Sequence, residues 1–67
     1  MEVFRQRLKE LRIEKQLSAL ALSKELKVCH STLLRWENGQ ILPSIDHLYN
    51  IAVFFGVSSD YLLGLED

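Results

Sequence analysis

The sequence predicts an all-α protein, a compact bundle of five short helices. Three observations carry this. Apolar residues recur at helical spacing along the chain, and no segment alternates with a period of two. Serines stand before, and glycines or polar turns after, the stretches that keep that spacing. The breakers are few: three glycines and one proline, all beyond residue 38.

The elements follow in order. Phe4, Leu8 and Leu11 lie at i, i+4, i+7 and predict a first helix ending near Lys15–Gln16. Ser18 is a good N-cap for a short second helix whose inner face is Leu22 and Leu26. After a brief turn at Lys27–Val28, a third helix runs from about His30 to Asn38, and Gly39 supplies its left-handed stop. Pro43–Ser44 opens a fourth: Ser44 caps it, Asp46 complements the helix dipole, and Ile45, Leu48, Ala52 and Phe55 line one side up to Gly56. Ser58 or Ser59 caps a last turn or two carrying Tyr61, Leu62 and Leu63.

Helices this short are marginal alone in water, so they must share one core. The second and third are joined by only about three residues, the connection length of a helix-turn-helix. That geometry favours the third helix as an exposed reader of a DNA major groove. Helical hairpins of similar length also occur in proteins that bind no DNA, so spacing alone leaves the function open.

Composition narrows the rest. Sixty-seven residues make one domain, residues 1–67, near the small end of what folds without staples. Cys29 is the single cysteine, so no internal disulfide forms, and two histidines with one thiol lack the ligands of an ordinary zinc site. No metal, cofactor or small-molecule ligand is expected. No apolar run approaches the ~18 residues of a membrane span, and no leader pattern is visible, so the expected setting is reducing and cytoplasmic. No nucleophile–base–carboxylate set stands at usable spacing, and His30 and His47 fall on separate helices, with His47 expected to face solvent; an enzyme is not expected. The net charge of −1 is uneven. Residues 1–15 carry five cations against three anions and residues 16–40 three against two, whereas residues 41–67 carry four anions and no Lys or Arg. Such asymmetry suits one face toward a polyanion, and equally an ordinary solvated surface.

Five blocks then stand in order: RLKELR (Arg7–Arg12), LS (Leu17–Ser18), STLLRWENG (Ser31–Gly39), PSIDHL (Pro43–Leu48) and FFGVSSDYLLG (Phe54–Gly64). In these the chain resembles the helix-turn-helix family of phage repressors and Cro proteins, over nearly its whole length and without a gap. The resemblance implies a five-helix, lambda-repressor-like DNA-binding domain. It implies a transcriptional regulator, as a repressor, that binds a short palindromic operator as a homodimer.

The resemblance also assigns places. Base edges would be read by His30, Ser31, Leu34 and Arg35; Arg pairs bidentately with guanine, Ser partners flexibly, and Leu offers apolar contact to a thymine methyl. Phosphates would be met by Ser18, Lys27, Thr32, Asn38 and Gly39, the last two through backbone N–H groups. Arg12 and Glu37 correspond to a structural ion pair tying the first helix to the end of the reader. Trp36 is read as core filler at the junction. The dimer surface falls on Tyr61 and Leu65, with Phe55, Leu62 and Leu63 completing the monomer core.

Departures from the family's pattern thin the expected grip on phosphate. Ala19 stands where a glutamine usually reaches the backbone, and Ala21 removes the acidic half of a capping box with Ser18. Cys29 replaces a capping Ser or Thr and is expected to be a buried or half-buried inert thiol. Lys27 replaces a turn glycine, which argues against a left-handed backbone there. Gln40, Ile41 and Leu42 follow Gly39 where basic residues are common. Ile13, Leu20, Leu34, Ile41 and Leu42 are apolar where the family is polar. If several are exposed together, they support the alternative, a helix-turn-helix module used for protein contact or the head of a longer regulator.

Overall fold

Local chemistry starts and stops each helix. The computed structural model describes residues 1–67 and contains α1 (Glu2–Glu14), α2 (Ala19–Leu26), α3 (His30–Glu37), α4 (Ile45–Phe55) and α5 (Ser59–Leu63), with no strand. Three starts are capped by serine: Ser18 Oγ accepts from Ala21 N at 3.0 Å, Ser44 Oγ from His47 N at 3.3 Å, and Ser58 Oγ from Tyr61 N at 3.0 Å. Cys29 precedes α3 without any side-chain cap, as a thiol accepts poorly.

All five helices end in one motif. The first or second residue past the helix turns left-handed, its N–H bonds three residues back, and the next N–H bonds five residues back. The pairs are Gln16 to Ile13 with Leu17 to Arg12, Lys27 to Lys24 with Val28 to Ser23, Gly39 to Trp36 with Gln40 to Arg35, Gly56 to Val53 with Val57 to Ala52, and Gly64 to Tyr61 with Leu65 to Asp60. Glycine fills the left-handed position three times. At the other two it is Gln16 and Lys27, each at φ 59°. The expectation that Lys27 avoids this conformation is therefore wrong: the motif's two hydrogen bonds, and Val28 packing on the core just after it, hold a lysine there against its preference.

The core takes residues from every helix: Phe4 and Leu8, Leu22, Leu33 and Trp36, Ile51 and Ala52, and Leu62. α1 packs on α3 and α5, α2 on α3 and α4, and α4 on α5. The inner face of α4 is Leu48, Ile51, Ala52 and Phe55. Ile45, expected on that face, is 84% exposed, because it begins the helix and the stripe sets in one turn later. His47, expected in solvent, is half-buried with its ring against Trp36, the centroids 5.4 Å apart. Cys29 is exposed, not buried, since the three-residue turn carries it outward between two helix ends.

Candidate nucleic-acid interface

The candidate interface is built on α3, whose two sides differ sharply. Leu33, Trp36 and Glu37 point inward and are buried. His30, Ser31, Leu34 and Arg35, at i, i+1, i+4 and i+5, form the outward flank, and all four are exposed, Leu34 at 38%. Only Lys27, Val28 and Cys29 separate α2 from α3, so the N-terminus of this flank is presented beside the end of α2. Arg35, in the last turn, makes no ion pair or side-chain hydrogen bond within the chain, and Lys27 carries its ammonium on the exposed turn.

Glu37 fixes the far end of the flank. Arg12 Nε donates to Glu37 Oε2 at 2.6 Å and Arg12 Nη2 to Oε1 at 3.0 Å, a two-pronged pair with side chains only 14% and 4% exposed. The third guanidinium nitrogen, Nη1, donates to the Leu17 carbonyl at 2.9 Å. One arginine thus joins α1, the α1–α2 turn and the end of α3. Each of its three nitrogens is engaged within the chain, so its role is to hold these elements together.

The residues named for phosphate contact fall into two groups. Ser18 stands at the start of α2; its hydroxyl serves Ala21 N, while the N–H groups of Ala19 and Leu20 have no partner in the chain. Such a helix start suits an anion. Thr32 is half-buried on the side of α3. Asn38 and Gly39 are exposed at the other end, but their N–H groups are donated to Leu34 O at 2.9 Å and Trp36 O at 3.3 Å. Backbone donation to a phosphate at that corner is therefore closed, and contact there is left to side chains.

The first-helix cations are also largely engaged. Arg7 Nη1 donates to the carbonyls of Tyr61 at 2.5 Å and Glu66 at 2.7 Å, with its guanidinium 4.3 Å from the centre of the Tyr61 ring. Lys15 lies 5.3 Å from the Phe54 ring centre, and Arg5 pairs with Glu2. Sequence reasoning missed the Arg7 clamp, because nothing in the local pattern marks a guanidinium reaching 54 residues along the chain. The same clamp half-buries Tyr61 and leaves Leu65 73% exposed as the freer of the two residues named for pairing.

No three His, Cys, Asp or Glu side chains are grouped to hold a metal ion, and no helix is long and apolar enough to cross a membrane. Among known families, the one described as a helix-turn-helix domain matches residues 6–67. Among curated proteins, the chain is similar to an HTH-type transcriptional activator, BcrR, of Enterococcus faecalis. The two are 34% identical over 64 residues, which cover 96% of this chain and 31% of that protein. The chain thus spans about a third of the length of that relative. No solved structure matches.

Proposed function

Because this chain belongs to the helix-turn-helix domain family, we propose that it is a sequence-specific DNA-binding domain of a transcriptional regulator, with α3 seated in the major groove. The observation that carries the reading is the exposed flank of His30, Ser31, Leu34 and Arg35, with α3 anchored behind it by Leu33, Trp36 and the Arg12–Glu37 pair. Arg35 and Ser31 supply the hydrogen bonds that tell base pairs apart, His30 a donor or acceptor, and Leu34 an apolar contact. Ser18 with the free N–H groups behind it, Lys27, Thr32 and the Asn38 side chain set the register on the phosphates. Residues 1–67 act as one domain, in the cytoplasm and without catalysis. A two-fold dimer through Leu65 and Tyr61 places the reader helices one turn of DNA apart, about 34 Å, on a palindromic site. We read the protein as a repressor of the phage-repressor and Cro type; an activator is the alternative that the similarity to a named activator supports.

Selection from random duplexes at low salt tests this. The wild-type chain enriches a two-fold-related motif, and Arg35→Ala loses or relaxes one position in it, a discrimination of about 1–3 kcal/mol. Failure of a folded wild-type chain to enrich any motif refutes the proposal.

A second reading rests on one further observation. Ile13, Leu20, Leu34, Ile41 and Leu42 are all exposed, between 38% and 57%. Together they favour a helix-turn-helix module that contacts protein. The partial coverage of the relative favours a DNA-binding head of a longer regulator. Binding to a partner that depends on Leu20 and Ile41, without motif enrichment, would select the protein-contact reading.

A further inference from the structure

The corner where α3 ends is short of positive charge and of free donors. Gln40, Ile41 and Leu42 follow it, and the N–H groups of Asn38 and Gly39 are already bonded within the chain. Yet a cation from elsewhere lies directly on this corner. A Cβ added to Gly39 would meet Arg5 Cδ at 2.9 Å and Arg5 Nε at 3.5 Å, so the Arg5 stem runs across the Gly39 backbone. Glycine is needed there twice over, for its φ of +77° and for the room it gives Arg5.

The Arg5 guanidinium is not free in the isolated chain. Its Nε donates to Glu2 Oε1 and its Nη2 to Glu2 Oε2, both at 2.8 Å, across one turn of α1. The pair is open to solvent, with side chains 34% and 69% exposed. The hydrogen bonds and charge of Arg5 hold the Glu2 carboxyl below its ordinary range, so the partner stays ionised at neutral pH. Nη1 keeps both of its N–H donors unused in this pairing. An exposed ion pair is weakly held, and a duplex phosphate, whose contact releases a condensed counterion, competes with the carboxylate on favourable terms.

We propose that Arg5 is a phosphate-binding residue at the C-terminal corner of α3, masked by Glu2 until duplex DNA displaces it. The inference rests on the DNA-binding reading above. It places in the first helix the cation that the loop after Gly39 lacks. Glu2 then works as a built-in competitor that lowers affinity for any duplex, whatever its sequence.

Fluorescence-anisotropy titrations of wild type, Glu2→Gln, Arg5→Met and the double variant, on one duplex across a series of salt concentrations, test it. Met keeps an aliphatic stem over Gly39, and thermal melts check that every variant is folded. Arg5→Met lowers the salt slope by about 0.9 per subunit and weakens binding about eightfold per subunit at 0.1 M salt. Glu2→Gln tightens binding, and most of that gain vanishes in the Arg5→Met background. An Arg5→Met chain with unchanged affinity and slope, or a Glu2→Gln gain equal in both backgrounds, overturns the masking proposal while leaving α3 as the reader. A folded wild-type chain that binds no duplex at low salt overturns the DNA-binding reading, and this inference with it.

Discussion

Cutting the Arg12–Glu37 pair tests what holds α3 in place. The carboxylate is 4% exposed, and its hydrogen bonds come from Arg12 Nε and Nη2 alone. Arg12→Met therefore leaves a buried charge with no partner in the protein, a change that costs about 3–5 kcal/mol. Glu37→Gln is milder, because Arg12 is 14% exposed and keeps the Leu17 carbonyl as an acceptor. A chain of 67 residues has a total stability of roughly 3–10 kcal/mol. Arg12→Met should thus remove about a third or more of it and lower Tm by about 12–40 °C, at about 4–8 °C per kcal/mol. The double variant Arg12→Met/Glu37→Leu puts apolar groups where the pair lay, and such replacements are often neutral or stabilising. It should recover most of the loss. Urea denaturation of wild type, Arg12→Met, Glu37→Leu and the double variant, read as a double-mutant cycle, gives the coupling directly. Two single losses below about 1 kcal/mol that simply add would match a surface ion pair and would refute the tether.

Lys27→Gly relieves a left-handed lysine and should stabilise the chain by about 0.5–1 kcal/mol, the steric relief less the added freedom of the unfolded glycine; a destabilised variant would contradict that φ. Leu65→Glu should shift a concentrated sample from dimer to monomer in sedimentation equilibrium without changing the circular dichroism spectrum, and an unmoved equilibrium would take Leu65 out of the pairing surface. The Glu2 carboxyl, depressed first by its hydrogen bond from Arg5 and then by that residue's charge, stabilises the fold fully above the ordinary carboxylate range and loses that contribution as pH falls through its lowered value; in Arg5→Met its NMR titration midpoint should move up, and an identical midpoint would remove Arg5 as the cause.

Much of this fold was legible because its signals are local. The serines at 18, 44 and 58 cap helices that the apolar spacing had already marked, and Gly39, Gly56 and Gly64 stop three of them. The other two stops were hidden. Gln16 and Lys27 are forced left-handed by the hydrophobic residue that follows each, Leu17 or Val28, packing on the core, and no preference of their own announces it. The apolar spacing puts Ile45 on the inner side, but a stripe extended back into the first turn of a helix counts a residue that nothing covers. Ile51, three residues after Leu48, carried the true stripe and was readable by the same rule.

The candidate interface divides along the same line. Which residues of α3 face outward is a matter of period, so the flank of His30, Ser31, Leu34 and Arg35 could be written down from the sequence. Which cations remain available for a polyanion could not, because that depends on contacts between distant segments. Arg7 holds the last turn of the chain, Arg12 holds Glu37, and Arg5 is held by Glu2 over Gly39. Counting first-helix charges from the sequence therefore overstates what reaches a phosphate. The cations that no carboxylate or carbonyl holds are Lys9, Lys15, Lys24, Lys27 and Arg35, and Lys15 lies by Phe54. With so few, one subunit neutralises only a few phosphates, and affinity that scales with their number stays low. Two subunits on one duplex double that number without adding a charge to either chain, and linking the sites raises the effective concentration of the second. The thin charge of the monomer and an exposed Leu65 thus both support the proposed pair, through which the proposed DNA binding would become tight and selective.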